Sequence, residues 1–249
     1  MKLLRQTALE LLGLELSVAQ LELFQRYYVA LTARNKEINL TSIIEYEAVQ
    51  IRHFLDSLTL ASPRLRGDSP AKPFDLAGAA LVDIGAGAGF PGIPLKILYP
   101  DLRLTLVESV GKKANFLTEV AVGLKLENVT VLTNRAEEVG QMAEHREKYA
   151  LATGRAVSAL AVLAEYCLPL VRVGGLFIAP KKGNLASEIE AAQKAIAVLG
   201  GELRPSPAFS LPTEAEGEER HLVVVEKVKL SPPEYPRRVG LPAKRPLRF

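Results

Sequence analysis

An α/β fold with a mostly parallel sheet is predicted by three features of this 249-residue sequence. The first is Leu81-Val82-Asp83-Ile84, a short apolar run without alternation, as a strand buried on both faces requires. The second is Gly85-Ala86-Gly87-Ala88-Gly89-Phe90 directly after it. Its glycines permit positive φ and close approach to the backbone, and Pro91 and Pro94 then fall in a first helical turn, where a missing N–H costs little. The third is Leu104-Thr105-Leu106-Val107, a second strand-like run that ends on the acid Glu108. Strand, glycine turn, helix and strand in this order form a unit of the nucleotide-binding kind, and the helix start offers unpaired N–H groups to an anion.

The remaining elements follow from periodicity and punctuation. Residues 1–60 read as an N-terminal helical extension. Ser17 is a cap candidate, Leu21, Phe24, Tyr28 and Leu31 recur at helical spacing, and Ser42 or a neighbour caps a helix through Ile51, Phe54, Leu55 and Leu58. Residues 61–79, with their prolines and glycines, read as a loop. The core runs over 80–228, as a helix at 112–122, strand at 129–132, helix at 136–146, strand at 149–153, helix at 160–171, strand at 176–179 and helix at 185–199. A hairpin-like pair around 202–209 and 221–227, joined by the acidic loop 213–219, closes the sheet with an antiparallel edge. Residues 229–249 form a basic tail.

The glycine spacing discriminates between ligands. A dinucleotide loop needs a third glycine where this chain has Phe90, which argues against a nicotinamide-dependent oxidoreductase. The pattern D-x-G-x-G-x-G from Asp83 resembles instead the first motif of class I S-adenosylmethionine-dependent methyltransferases. That resemblance implies a Rossmann-like, seven-stranded, mostly parallel sheet, with the glycine loop at the methionine end of the cofactor and the acid after the second strand at the ribose.

Composition narrows the classes further. A single cysteine, Cys167, excludes an internal disulfide, and the three scattered histidines suggest no metal site. No signal peptide or membrane-length apolar run is evident, so a cytoplasmic protein is expected. The net charge is only +3, yet Lys229, Arg237, Arg238, Lys244, Arg245 and Arg248 face a single acid, Glu234, near the end of the chain. Such clustering suits a polyanion. Lys181 and Lys182, after the fifth strand, and Arg220 and His221, at the start of the last, extend the candidate polyanion-binding set, and all of these residues also read as ordinary solvated charge.

Acceptor signatures point by absence. Cys167 lies in the apolar stretch Ala164–Leu168 and reads as core rather than as a nucleophile. Thr153-Gly154-Arg155-Ala156 stands where exocyclic-amine methyltransferases commonly carry an Asn/Asp-Pro-Pro-Tyr loop. A ring nitrogen with an in-plane lone pair, such as guanine N7, has no proton to lose and needs neither device.

Beyond these motifs, the chain resembles the bacterial ribosomal RNA small-subunit methyltransferase G family, also called glucose-inhibited division protein B. The resemblance rests on Asn39-Leu40-Thr41-Ser42, Arg52-His53-Phe54-Leu55-Asp56-Ser57, Val82 through Pro94, Arg135-Ala136-Glu137-Glu138, Gly154-Arg155-Ala156, Arg220-His221-Leu222-Val223-Val224 and Tyr235-Pro236-Arg237-Arg238. It implies methylation of guanine N7 in the 530 loop of 16S rRNA by a monomer that needs no metal and no membrane. It also implies cofactor contacts from Asp83, Gly85, Gly87 and Phe90, from Glu108, Ser109 and Val110, from Ala136 and Glu137, and from Arg155. Arg155 and Asn39 are the catalytic candidates. Glu108 and the residues flanking Arg155, Gly154 and Val157, depart from the usual family residues. A non-catalytic ribosome-assembly protein with the same fold is the competing expectation.

Overall fold

The computed structural model describes residues 1–62, 76–212 and 219–247. Residues 213–218 of the expected acidic loop and most of the loop expected at 61–79, as well as Arg248, lie outside the described residues.

The sheet has the strand order β3-β2-β1-β4-β5-β8-β6, with β7 also pairing β8. Its strands are β1 (Ala80–Ile84), β2 (Arg103–Val107), β3 (Val129–Leu132), β4 (Tyr149–Thr153), β5 (Val171–Lys182), β6 (Gly201–Arg204), β7 (Ala208–Ser210) and β8 (Glu219–Lys227). The first five are parallel, with Val82 facing Thr105 on one side and Ala152 on the other, while β8 runs antiparallel to β5. Eight strands replace the expected seven because the chain breaks at Pro205 and Pro207, so β6 and β7 pair separately with β8. The order reverses between β1 and β4, where the carboxyl ends of the strands leave a crevice.

Two apolar cores flank the sheet. On one face Leu81, Leu104, Leu106 and Leu151 pack with helices α5 (Gly92–Leu98) and α6 (Gly111–Gly123). Into the same core go α1 (Lys2–Leu12), α2 (Val18–Ile38) and the helical run 46–61. The expected N-terminal helical extension therefore shares its core with one side of the domain. On the other face Val82, Ile84, Ala152 and Phe177 pack with α8 (Leu160–Cys167) and α9 (Ala186–Val198).

Local signals explain the element ends. Ser17 caps α2 through a complete capping box with Gln20. In the 46–61 run, Glu45 rather than Ser42 provides the cap, because its carboxylate accepts from the N–H groups of Glu47 and Ala48. That run is α-helical at Tyr46–Val49, π-helical at Gln50–Leu55, α-helical again at Asp56–Leu58 (α4) and 3-10 at Thr59–Ala61. The helix expected over 136–146 stops at Val139 as the short α7 (Ala136–Val139), just before Gly140. The helix expected over 160–171 gives way to a 3-10 turn where Pro169 cannot donate.

The basic tail is not a free tail. Ser231, Pro236, Pro242 and Leu247 are buried, and α10 (Leu241–Lys244) packs on α8. Residues 231–247 form a strap across the core. Among the described residues no helix is long and apolar enough to cross a membrane.

Candidate active site

The glycine turn after β1 is built from both sides. Gly89 has φ +98, and a Cβ there would lie 2.6 Å from the hydroxyl of Tyr27 on α2 and 2.5 Å from Ile93. Tyr27 donates that hydroxyl to the carbonyl of Ala88, so an N-terminal helix holds the turn. Glu108, at the end of β2, holds the other side, with Oε2 accepting from Gly87 N at 2.9 Å and Oε1 from Val110 N at 2.8 Å. Each oxygen keeps a second lone pair for a ligand hydroxyl. Asp83 Oδ2 accepts from Gly92 N at 2.9 Å. The start of α5, expected to be open to an anion, is thus taken by the chain's own carboxylate.

Asp83 is fully buried, and its Oδ1 has no hydrogen-bond partner among the described residues. Burial pushes its carboxyl up to about 7, against the pull of the Gly92 N–H and the Arg155 guanidinium.

Two clefts open at the reversal of strand order. The first, about 260 Å³, lies at the ends of β1 and β2, where Gly85, Val107 and Ser109 meet Ala136, Glu137 and Tyr166. Burial, with Glu137 and Glu165 beside it, pushes the Tyr166 phenol up to about 12. The second cleft, about 380 Å³, is basic: Arg52, Arg155, Lys181, Lys182 and Arg220 line it against one carboxylate, Asp56.

One loop separates them. After β4, Arg155 and Ala156 line the basic cleft, and Val157 and Ser158 line the other. Gly154 starts the loop in a tight space, where a Cβ would lie 2.9 Å from the Ile84 carbonyl oxygen and from Leu163 Cδ1. Lys181 fastens its far end, donating to the Ser158 carbonyl at 2.9 Å and to Glu188 Oε1 at 2.7 Å.

Arg155 is held from four directions. Its Nη1 donates to Asp56 Oδ2 at 2.6 Å and lies 3.3 Å from the Arg52 carbonyl oxygen. Its Nη2 is 3.3 Å from His53 Nδ1, and its guanidinium carbon stands 5.0 Å from the centre of the Phe90 ring. The other Asp56 oxygen is 3.2 Å from Arg220 Nε. His53 stacks on Phe90 at 4.5 Å, and its Nε2 is 2.8 Å from Thr41 Oγ1. Burial and the nearby Arg155 pull its imidazole down to about 3, so it is neutral at working pH. The π-helical turn carries Arg52 and His53 into this cleft, a placement such turns often serve.

The candidate residues therefore divide. Gly85, Ser109, Ala136 and Glu137 line the first cleft, while Asp83, Gly87, Glu108 and Val110 shape the turns around it. Phe90 is a packing hub, and Arg155 faces the basic cleft. Asn39 lines neither cleft. It ends α2 in the left-handed region with its side chain exposed. Lys181, Lys182 and Arg220 come together in the basic cleft, and His221 lies outside it, 3.7 Å from Glu219. Arg237 spends its donors on Glu165 and the Arg245 carbonyl, leaving Arg238, Lys244 and Arg245 as the exposed cations of the strap. Sequence reasoning gave no role to Asp56, although it sits one helical turn from Arg52, and missed Tyr166 and Ala243, for which no local signal exists.

These residues suit S-adenosylmethionine. The first cleft flanks Glu108 with Val107 and Ser109, and a buried, unpartnered carboxylate oxygen beneath the turn suits a ligand carrying ammonium and sulfonium charge. Residues 20–223 match the model of one family, GidB, described as rRNA small subunit methyltransferase G. The chain belongs to that family. Curated proteins named ribosomal RNA small subunit methyltransferase G include one from Roseiflexus castenholzii, 50% identical over 94% of this chain and 95% of its own length. Another, from Exiguobacterium sibiricum, is 46% identical over 97% of both chains. Among solved structures, M. jannaschii TYW2 in complex with AdoMet shares the fold, with a TM-score of 0.52 at 14% identity over 75% of this chain and 80% of that one.

Proposed function

We propose that this chain transfers the methyl group of S-adenosylmethionine to guanine N7 of 16S rRNA, with the cofactor in the first cleft and the RNA base entering through the basic one. The observation that carries this reading is the β4–α8 loop, whose four residues 155–158 face both clefts. A displacement at carbon needs donor and acceptor in line at close range, and a wall one loop thick provides that. Bound S-adenosylmethionine supplies the electrophilic methyl group.

The chain's own residues have no proton to move. The N7 lone pair is free at neutral pH, and neutral His53 orients Arg155 and packs on Phe90 rather than acting as a base. The reaction moves one positive charge from sulfur to the base without creating charge. Asp56, between Arg155 and Arg220, fixes the Arg155 guanidinium in place, so that Arg155 can position the base. Lys182 and the strap cations Arg238, Lys244 and Arg245 are assigned to RNA phosphates, which position without specifying sequence. Both clefts are complete within one chain, which supports action as a monomer, in the cytoplasm where rRNA is found.

The test is transfer of labelled methyl from S-adenosylmethionine to 16S rRNA and to small subunits, followed by aniline cleavage at N7-methylguanine. A single cleavage in the 530 loop is expected. Label without cleavage overturns the N7 assignment, and cofactor binding without label on any RNA overturns the acceptor.

A further inference from the structure

We propose that the strap 231–247 is the outer wall of the cofactor cleft on its Glu137 side, and that Ala243 is the positioning residue that sets the room left for the nucleoside. The argument rests on the assignment of the first cleft to S-adenosylmethionine.

The strap is fastened at every stage of its path. Arg146 Nη2 donates to the carbonyls of Ser231 and Pro232 at 2.9 and 3.0 Å, and its Nη1 donates to that of Tyr235 at 2.6 Å. Arg237 places its backbone N–H, Nε and Nη2 on the carboxylate of Glu165, at 2.9, 2.8 and 2.6 Å. Glu165 is fully buried on α8, so removing Arg237 strands a charge inside the protein. The next fastening is the cleft itself: Gly240 N donates to Glu137 Oε1 at 2.8 Å. Gly140 clears the way, since a Cβ there would lie 2.6 Å from Pro236 Cγ.

Gly240 then turns at φ +77 into α10, whose Ala243 lines the cleft beside Glu137 and Tyr166. Glu137, a candidate cofactor contact, thus also fastens the strap, and the strap brings the Ala243 methyl group to the cleft wall. The small side chain follows from the place, because a larger one at 243 would project into the space the nucleoside needs. Ala243 is exposed, so its replacement leaves the core intact.

The experiment compares Ala243→Trp with Val239→Trp, the latter on the exposed strap outside the cleft. Calorimetric titration with S-adenosylhomocysteine and steady-state methylation are measured on the full chain. Ala243→Trp is expected to raise the Kd for S-adenosylhomocysteine and the KM for S-adenosylmethionine about tenfold or more, equivalent to roughly 1.4 kcal/mol. The kcat at saturating cofactor and the Tm should stay near the parent values, the pattern of lost uniform binding. Val239→Trp should match the parent in all four. An unchanged Kd in Ala243→Trp overturns the strap proposal alone, as does a loss of kcat that tracks a fallen Tm. A parent protein that binds no S-adenosylhomocysteine overturns the cofactor assignment and the strap proposal with it.

Discussion

Arg155 and Asp83 put opposite demands on the molecule at the scale of single side chains. Arg155→Ala leaves Asp56 with Arg220 as a remaining partner, so the loss of stability should be about 2 kcal/mol, below the roughly 3–5 kcal/mol of stripping a buried pair entirely. Turnover should fall by a hundredfold or so, since the base loses its positioning group. Arg155→Lys should recover the stability but little of the rate, because an ammonium cannot serve Asp56, His53 and the Phe90 face together. Urea melts beside single-turnover rates separate the two effects, and equal losses in both would contradict the role. Asp83 titrates near 7 when folded and lower when unfolded, so the folded state holds the extra proton between the two values. Stability is therefore expected to fall as pH rises from about 4 to about 7. Asp83→Asn keeps an acceptor for Gly92 N, removes the buried charge and should flatten that slope, raising Tm at about pH 8 while weakening cofactor binding. A parent slope retained in the variant would place the titration elsewhere.

Among the elements, the β4–α8 loop gives the sharpest discrimination between two roles for Lys181. A lysine that only contacts phosphate affects RNA binding alone. One that fastens Ser158 and Glu188 affects the cofactor cleft, which Ser158 lines. Lys181→Met is expected to weaken S-adenosylhomocysteine binding several-fold and to leave the salt slope of RNA binding unchanged. A slope reduced by about one with cofactor affinity intact would restore the phosphate role. The same loop marks where sequence reasoning stopped. The strands and the glycine turn were legible because burial and backbone geometry act on neighbouring residues. The short α7, the break at Pro169 and the split of the last strands were each signalled by a glycine or a proline that periodicity alone overrides. The pairing of Asp56 with Arg155 and Arg220, and the path of 231–247, depend on contacts between residues far apart in sequence and leave no local pattern. Charge clustering near residue 237 looked like a solvated tail because composition cannot show that Glu165 waits inside α8 for Arg237.

The whole molecule joins the cleft assigned to the cofactor to a cationic one. With about four phosphate contacts from the basic cleft and the strap, RNA affinity should drop roughly a hundredfold between about 50 and 200 mM salt. Filter binding at several salt concentrations checks this, and a flat response would remove these cations from the interface. The layer that contains α1 and α2 also holds the glycine turn through Tyr27, so removal of the N-terminal helices would uncover the apolar core they share with α5 and α6 as well as loosen the turn. The crowd of positive charge around Asp56 has a further effect on turnover. On the proposed assignment, a guanine enters that cleft uncharged and leaves it as a cation, while the polyanion that carried it is otherwise unchanged. The surroundings that drew the strand in thus favour the unmodified nucleotide over the modified one, and the enzyme is built to let go of what it has made.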